Sequence, residues 1–259
     1  MPDLNAFAPQ GMLHRGWSAQ VNDYALSCGW GHKGKTLLIG DVAGGLYAFK
    51  ADSGELRWTR KDLHQNGLLS LSIHAETNRI ATSGQDGTVL IWDANDGKIL
   101  HSLKLGASWV EHLAWSDNGE KLAVAAGRYV HIVNSDGNEQ WKTEAHKRTV
   151  SAISWSKPDE IATACYGQVS FFNIKKQQEN QKLEWQGSLI SMVLNPEGDI
   201  VACGSQDNSV HFWRRNTGLD AEMTGYPGKP SELAFDQSGQ FLATGGSDQI
   251  TVWNFHGDG

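Results

Sequence analysis

A literal match to the phosphate-binding pattern GxxxxGK[ST] is the first feature of this 259-residue chain that could carry chemistry. It runs from Gly29 to Thr36 as GWGHKGKT. Such a loop cradles phosphate when a strand precedes it and a helix N-terminus follows, because backbone N–H groups and the helix dipole then face the ligand. The segment that follows, TLLIGD, has the pattern of a strand. The match therefore predicts a hairpin turn and not a nucleotide site.

Histidine and cysteine, common ligands of transition metals, are scattered along the chain. The 10 His and 3 Cys form no HExxH, HxH or paired Cys/His motif with the spacing of a metal site. His131 and His211 occupy equivalent places in two repeats that are not neighbours, and Cys28, Cys165 and Cys203 form no CxxC motif. We predict no metal site and no cofactor, and the alternative is a propeller that binds or delivers metal through surface histidines.

Local catalytic motifs are missing as well. The sequence has no GxSxG nucleophile elbow, no Cys beside a candidate His base and no paired carboxylates in a recurring slot. We therefore predict that the protein is not an enzyme. A catalytic site assembled from different repeats at a central channel is the less favoured alternative.

Short apolar segments recur at a nearly constant interval and must position whatever site exists. They read GLYAF, TVLIW, YVHIV, VSFF, SVHFW and ITVW, and they end at Phe49, Trp92, Val133, Phe172, Trp213 and Trp253. These ends lie 43, 41, 39, 41 and 40 positions apart. Alternating apolar residues, β-branched and aromatic side chains, and Gly, Asn, Asp and Ser at the breaks predict four-stranded antiparallel sheets.

A four-stranded sheet cannot bury both of its faces alone. Six such sheets therefore predict an all-β protein in which the sheets stack radially about an axis, which is a β-propeller. A large flat Trp or Phe suits the wedge between neighbouring sheets. We expect one domain, 1–259, with repeats at about 17–60, 61–104, 105–144, 145–186, 187–225 and 226–259.

The second repeat carries a resemblance to a known family. Its SGQDGTVLIWD, at 83–93, is close to the consensus of the WD40 repeat family, which the chain resembles over about residues 17–255. The resemblance implies a hydrogen-bonded structural tetrad of His64, Thr82, Asp86 and Trp92. Other repeats keep parts of this set: His146 and Thr163; Asp207 and Trp213; Thr244, Asp248 and Trp253.

A second resemblance concerns the tryptophans of the fourth strands. GGLYAFKADSGELRW, at 44–58, resembles the tryptophan-docking repeat of quinoprotein propellers, and SDGNEQW, at 135–141, is similar. We interpret Trp58, Trp141 and Trp185 as packing between sheets and not as a sign of a quinone cofactor.

The closure of the ring has two interpretations. The sixth repeat ends six residues after Trp253, before a fourth strand, and an open sheet edge is a liability. The WD40 family commonly takes the missing strand from the N-terminus, so we predict six blades closed by a strand at 10–17. The alternative is a seven-bladed propeller that lacks its final blade.

Charge and the N-terminal sequence limit the partners. The net charge is −7, which disfavours nucleic acid and anionic lipid, so we expect neither nucleic-acid nor membrane binding. No apolar stretch is long enough for a membrane helix, and MPDLNAFAPQGMLHRGW lacks the basic start and apolar run of a secretory signal. We predict a cytoplasmic protein.

Partner binding is expected on the propeller face formed by the loops that enter the first strands and those that join the second to the third strands. The candidate partner-binding residues on this face are Gln85, Trp109, Arg128, Tyr129, Lys147, Arg148, Tyr166, Gln206 and Lys229. Trp, Tyr and Arg dominate interface hot spots, although they could also cap the sheet ends. The resemblance and this face predict a non-catalytic WD40 scaffold or adaptor for a protein or peptide.

Overall fold

The computed structural model describes residues 16–106 and 109–255. Within these ranges the chain forms 23 β-strands and no helix, and the strands make five four-stranded sheets and one three-stranded sheet. Every sheet is an antiparallel meander of consecutive strands, which short turns suffice to connect. The predicted all-β fold of six repeated sheets is confirmed.

The first three sheets contain twelve strands. Sheet 1 consists of β1 (Ala25–Gly31), β2 (Thr36–Asp41), β3 (Leu46–Lys50) and β4 (Leu56–Arg60). Sheet 2 consists of β5 (Leu68–His74), β6 (Arg79–Gly84), β7 (Thr88–Asp93) and β8 (Lys98–Lys104). Sheet 3 consists of β9 (Val110–Trp115), β10 (Lys121–Ala126), β11 (Tyr129–Asn134) and β12 (Glu139–Lys142).

The last three sheets contain the other eleven strands. Sheet 4 consists of β13 (Val150–Lys157), β14 (Glu160–Cys165), β15 (Gln168–Asn173) and β16 (Gln178–Glu184). Sheet 5 consists of β17 (Leu189–Leu194), β18 (Ile200–Ser205), β19 (Val210–Arg214) and β20 (Leu219–Met223). Sheet 6 consists of β21 (Glu232–Phe235), β22 (Phe241–Gly245) and β23 (Thr251–Asn254). The six recurring apolar segments lie on or end in the third strands.

The first strand of each sheet contacts the first strand of the next, in the order β1, β5, β9, β13, β17 and β21. These strands therefore line the inside of the array, and the fourth strands lie outside. This arrangement is radial, as the repeat length predicts, because sheets 2 to 5 each pack one face on the sheet before and the other on the sheet after.

The hydrophobic core consists of layers between successive sheets. We call the face of a sheet that packs on the next sheet along the chain its forward face, and the opposite face its rear face. Val89 and Ile91 on the forward face of sheet 2, for example, pack with Leu122 and Val124 on the rear face of sheet 3, and all four are fully buried. Complete burial of such a side chain stabilises the fold by about 1.5–3 kcal/mol.

Tryptophans of the fourth strands add to these layers. Trp58 Nε1 in β4 donates to the carbonyl of Ala94, 3.2 Å away in sheet 2. A Cβ at Gly97 would come within 2.7 Å of the Trp58 ring, so only glycine allows this approach. Trp141 likewise lies 5.9 Å from the ring of Phe172 in sheet 4. The interpretation of these side chains as packing between sheets is confirmed.

The four residues of the implied tetrad lie in hydrogen-bonding contact. Trp92 Nε1 donates to Thr82 Oγ1 at 3.0 Å, and His64 Nε2 is 3.0 Å from the same oxygen. His64 Nδ1 is 3.3 Å from Asp86 Oδ1. Since the carboxylate can only accept, Nδ1 donates to Asp86 and Nε2 accepts from the Thr82 hydroxyl, with the ring neutral. The network ties the loop before β5 to the third strand of the same sheet.

Two other sheets build the same contact with different residues. His146 Nε2 lies 3.0 Å from Thr163 Oγ1 in sheet 4, where no tryptophan completes the set. In sheet 6 the hydroxyl of Tyr226 replaces the histidine: it lies 2.8 Å from Thr244 Oγ1 and accepts from Trp253 Nε1 at 2.7 Å. The resemblance to the family did not predict this role for Tyr226.

The phosphate-loop match is a β-hairpin, as predicted. Gly31 at the end of β1 pairs with Thr36 at the start of β2, and Gly34 N donates to Gly31 O at 3.1 Å. His32 and Lys33 in the turn have φ values of 49° and 55°. With a strand after the loop, there is no helix N-terminus to hold phosphate.

The predicted closing strand at 10–17 lies outside the described residues except for Gly16 and Trp17. These two residues are not part of a strand, and β23 has β22 as its neighbour. Closure by that segment therefore stays a prediction, as do the boundaries of the single domain.

Candidate functional site

A cavity of about 750 Å³ opens where the first strands of sheets 3, 4 and 5 begin. Its lining comes from β9, from the residues just before β13 and β17, and from the loops that follow β14 and β18. This is the face on which the sequence predicts partner binding. Residues from three neighbouring sheets thus form one concave surface near the starts of the inner strands β9, β13 and β17.

Buried residues at the strand starts fix the loops of this cavity. Val150 opens β13 and Leu189 opens β17, and each is only 1% exposed. Arg148 and Thr149 directly precede Val150, and Ser188 directly precedes Leu189. Because the strand starts are anchored in the core, the polar groups just before them are held at the rim.

The loops after β14 and β18 contribute Tyr166 and Gln206. Tyr166 is 55% exposed although its neighbour Cys165 is fully buried. Gly167 follows with a φ of 84°, a conformation that favours glycine and lets the chain reverse at once into β15. The tight turn therefore presents the tyrosine ring to solvent at the cavity rim.

Two titratable side chains of β9, Glu111 and His112, also line the cavity. Burial raises the pKa of the Glu111 carboxyl and lowers the pKa of the His112 imidazole. Both shifts favour the neutral form, since a partly desolvated site penalises charge. Arg148 contributes an exposed guanidinium to the same cavity, and its Nη1 donates to Lys147 O at 3.1 Å.

The chemistry of this lining suits recognition. It offers a guanidinium, hydroxyl groups, an amide and a phenol above an apolar floor, the mixture found in binding sites. The Ser151 hydroxyl is directed at the carbonyl of Ala164, 3.3 Å away, and not at a neighbouring base. The arrangement thus supplies several hydrogen-bond donors and acceptors at the cavity.

The predicted partner-binding residues divide into two groups. Arg148, Tyr166 and Gln206 line the cavity, and Lys147 lies exposed beside Arg148. The residues placed elsewhere on or near the face are Gln85, Trp109, Arg128, Tyr129 and Lys229.

Arg128 and Tyr129 make contacts within the protein. Arg128 Nε donates to His146 O at 2.6 Å, and His146 Nδ1 donates back to Arg128 O at 3.0 Å, so Arg128 couples sheets 3 and 4. Lys142 Nζ lies 4.6 Å from the centre of the Tyr129 ring. Trp109, directly before β9, is 52% exposed.

Gln85 and Lys229 belong to sheets 2 and 6. Gln85 N donates to Gly67 O at 3.2 Å, and Lys229 O accepts from Ser231 N at 2.9 Å. Neither residue lines the cavity. The structure therefore brings together only the part of the predicted set that comes from sheets 4 and 5.

Sequence reasoning missed Glu111, His112, Thr149, Ser151 and Ser188 of the lining. Glu111 and His112 were detectable because VEHLAW places two polar residues inside a first strand. The three hydroxyl residues carry no such signal, since serine and threonine are frequent throughout these strands.

Metal and membrane features were also sought in the described ranges. There, no three His, Cys, Asp or Glu side chains lie together in a way that could hold a metal ion. His131 Nδ1 instead lies 2.5 Å from Glu139 Oε2, and His211 Nε2 lies 3.0 Å from Asp220 Oδ2. No helix among residues 16–106 and 109–255 could cross a membrane.

Two family models match the chain. Residues 14–222 match the model described as outer membrane protein assembly factor BamB, and residues 221–254 match the model described as WD domain, G-beta repeat. Together the two matches cover the six sheets.

Curated proteins with low sequence identity match most of the chain. The chain is 22% identical to autophagy-related protein 16 of Arabidopsis thaliana over 72% of this chain and 38% of that protein. It is 23% identical to a guanine nucleotide-binding protein subunit beta of the same organism over 76% of this chain and 61% of that protein. The chain thus spans less than two thirds of the length of these relatives.

A solved structure shares the fold. A chain in the crystal structure of the mitotic checkpoint complex superposes with a TM-score of 0.77 at 19% identity, over 92% of this chain and 77% of that chain. At this level of identity the likeness shows the propeller architecture alone.

Proposed function

The chain belongs to the WD-repeat β-propeller proteins, with residues 14–222 in the family described as outer membrane protein assembly factor BamB, and we propose that it is a non-catalytic scaffold. In this proposal the cavity between sheets 3, 4 and 5 binds a protein or peptide partner. Fold alone does not give function, so the proposal rests on the site.

The exposure of Tyr166 beside Arg148 on a rigid rim is the observation that carries the proposal. Both side chains belong to the residue types that dominate interface hot spots. Tyr166 directly follows the buried Cys165, and Arg148 lies two residues before the buried Val150. Function in repeat proteins is usually carried by loops on a rigid scaffold. The relatives include a subunit of a guanine nucleotide-binding protein, and the structural neighbour is part of a complex.

The test is affinity capture with the double variant Arg148→Ala, Tyr166→Ala. Proteins retained from a lysate of the source cell by the unaltered chain are identified, and the affinity of the main one is then measured with purified components. Each hot-spot side chain contributes about 2 kcal/mol or more, so the double variant should bind at least about 100-fold more weakly.

A matched variant on the outer strand β8, Lys98→Ala with Ile99→Ala, should bind the partner with unchanged affinity. Both variants must keep the unfolding midpoint of the parent chain, which separates lost recognition from lost folding. Equal affinity of the folded cavity variant and the parent would contradict the proposal.

The proposal also places the protein in the cytoplasm. The unpaired cysteines Cys28, Cys165 and Cys203 agree with a reducing compartment. Fractionation of the source cell, with the chain detected by an antibody, tests this separately from partner binding.

A further inference from the structure

Two Asn-Gly pairs lie in the described part of the chain, Asn66-Gly67 and Asn118-Gly119. Glycine has no Cβ, so its backbone nitrogen can approach the preceding side chain more closely than the nitrogen of any other residue can. Neither pair lines the cavity between sheets 3, 4 and 5. Because the two pairs share the same local chemistry, a difference between them must come from the fold.

An Asn-Gly pair can lose ammonia without a catalyst. The glycine backbone N gives up its proton and attacks Cγ of the asparagine, and the new N–Cγ bond closes a cyclic imide as the Cγ–Nδ2 bond breaks. The departing nitrogen takes up the proton that the glycine N lost and leaves as ammonia. Water then adds to either carbonyl of the imide and opens it, which gives aspartate or isoaspartate. In isoaspartate the backbone runs through the former side chain and is one methylene longer.

The side chain of Asn118 is held away from this reaction. Ser116 Oγ and Glu120 N donate to Asn118 Oδ1 at 2.9 Å and 3.1 Å, and Asn118 Nδ2 donates to Glu120 Oε2 at 2.8 Å. Gly119 is buried, and its N donates to Ser116 O at 2.8 Å. Attack by Gly119 N would have to break this whole set of hydrogen bonds.

The side chain of Asn66 has no such restraint. Asn66 lies exposed in the loop between β4 and β5, and within the described ranges its side-chain amide makes no hydrogen bond. The nucleophile is also held less closely, since Gly67 N donates to His64 O at 3.3 Å. A cavity of about 380 Å³ borders both residues of the pair, so water can reach the imide.

We propose that Asn66 is a modification site of the folded protein, where spontaneous deamidation gives aspartate and isoaspartate while Asn118 keeps its amide. Each event replaces a neutral amide by a carboxylate. The loop that enters β5 belongs to the face on which partner binding is expected, so this face gains a negative charge. The reaction requires no partner at the cavity between sheets 3, 4 and 5.

The isoaspartate product also disturbs a closely fitted loop. Gly67 O accepts from Gln85 N at 3.2 Å, and a Cβ at Gly67 would come within 2.6 Å of Val42 O. His64, which binds Asp86 and Thr82, is two residues before Asn66. An added methylene at position 66 must therefore displace Gly67 or His64, whereas ordinary aspartate keeps the length of the backbone.

The test follows both amides in the full chain at a mildly alkaline pH, folded and in urea. Mass spectrometry of peptides measures the conversion of each asparagine to acid. Three hydrogen bonds restrain Asn118, so Asn66 should react at least about tenfold faster than Asn118 in the folded chain. In urea the two rates should be similar. A folded chain in which Asn66 reacts no faster than Asn118 would overturn the proposal.

Two variants serve as controls. Asn66→Gly suits the φ of 68° at this position and has no side-chain amide, so this chain should not form the early acidic species seen on ion exchange. Glu120→Ala removes the acceptor of Asn118 Nδ2 and should raise the rate at Asn118 while leaving the rate at Asn66 unchanged. An unchanged rate at Asn118 would show that these hydrogen bonds do not protect it.

The isoaspartate form is isolated by ion exchange and identified by methyl transfer from S-adenosylmethionine with an isoaspartate-specific methyltransferase. Its amide hydrogens in β5 should exchange at least about threefold faster than those of the parent, the effect of one lost hydrogen bond. Asn66→Asp, which carries the same charge on a backbone of normal length, should exchange as the parent does. Equal exchange in the isoaspartate form and the parent would refute the effect on the loop.

Discussion

At the scale of single residues, the buried histidines constrain the protonation state of the folded protein. His64 is 3% exposed and His146 is 5% exposed, and burial lowers the pKa of each imidazole. The Asp86 carboxylate opposes this effect at His64, but burial outweighs it. In each case a threonine hydroxyl lies 3.0 Å from Nε2, and the Nε2 of a neutral imidazole can accept a hydrogen bond from it. The folded state therefore favours the neutral form of these rings.

The lowered pKa values of His64 and His146 predict a loss of stability in mild acid. In the unfolded chain the histidines take up protons as the pH falls through about 6.5, whereas in the folded chain they resist protonation until a lower pH. The free energy of unfolding should be level near pH 8 and should decrease between about pH 7 and pH 5. Urea unfolding at half-unit intervals measures the slope.

Replacement of His146 by Gln should reduce that slope, with His32→Gln in the β1–β2 turn as the control. Most carboxyl groups titrate below about pH 4.5. Glu111, whose pKa is raised by burial, is present in the parent and in both variants, so the difference in slope between them reports the histidine. A free energy of unfolding that rises as the pH falls from 7 to 5 would contradict the assignment of neutral rings.

At the scale of elements, Arg215 holds sheets 4 and 5 together. It follows β19, and its Nη2 lies 2.9 Å from Glu160 Oε1 at the start of β14. Its Nε donates to Gln181 Oε1 at 2.8 Å and its Nη1 donates to Gly198 O at 2.6 Å. The guanidinium also lies 3.5 Å from the centre of the Phe171 ring. Only a planar group with several fixed donors can make all of these contacts.

Arg215→Lys should therefore destabilise the protein although it conserves charge. A lysine keeps one contact with Glu160 and leaves buried acceptors unpaired, at a cost of about 2 kcal/mol. The free energy of unfolding in urea measures the loss. Lys50→Ala breaks the exposed Lys50–Glu55 pair, in which the two atoms are 2.6 Å apart, and should cost less than about 1 kcal/mol. Equal losses for the two variants would show that Arg215 acts only as a surface charge.

The elements were predictable from the sequence to a greater extent than the site. Each third strand lies on a recurring apolar segment because strand periodicity and burial are local properties of the sequence. Glu111, His112 and Ser188 meet only through the curvature of three sheets, which no local pattern encodes. Tyr226 was also missed, because a tyrosine hydroxyl replaces an imidazole from a different backbone position. Arg128 was predicted as a partner contact, yet its Nε is used by His146 O.

At the scale of the whole molecule, residues 16–106 and 109–255 form an array whose sheets differ in the number of covered faces. Sheets 2 to 5 have a neighbour on both sides, and Val124, Ala162 and Val201 in their second strands are 0% exposed. In an array of this kind, stability is approximately the sum of the sheets and of their nearest-neighbour contacts. The cavity for the proposed partner lies between sheets 3, 4 and 5, in the part of the array that is covered on both sides.

Amide exchange should therefore be slowest in the second strands of the middle sheets and faster in those of the two end sheets. Opening an end sheet breaks one layer of core, whereas opening a middle sheet breaks two, and each buried side chain in a layer contributes about 1.5–3 kcal/mol. Exchange in β10 and β14 should be at least about tenfold slower than in β2 and β22, as measured by mass spectrometry of peptides that cover these strands. Equal protection of β22 and β10 would contradict this prediction.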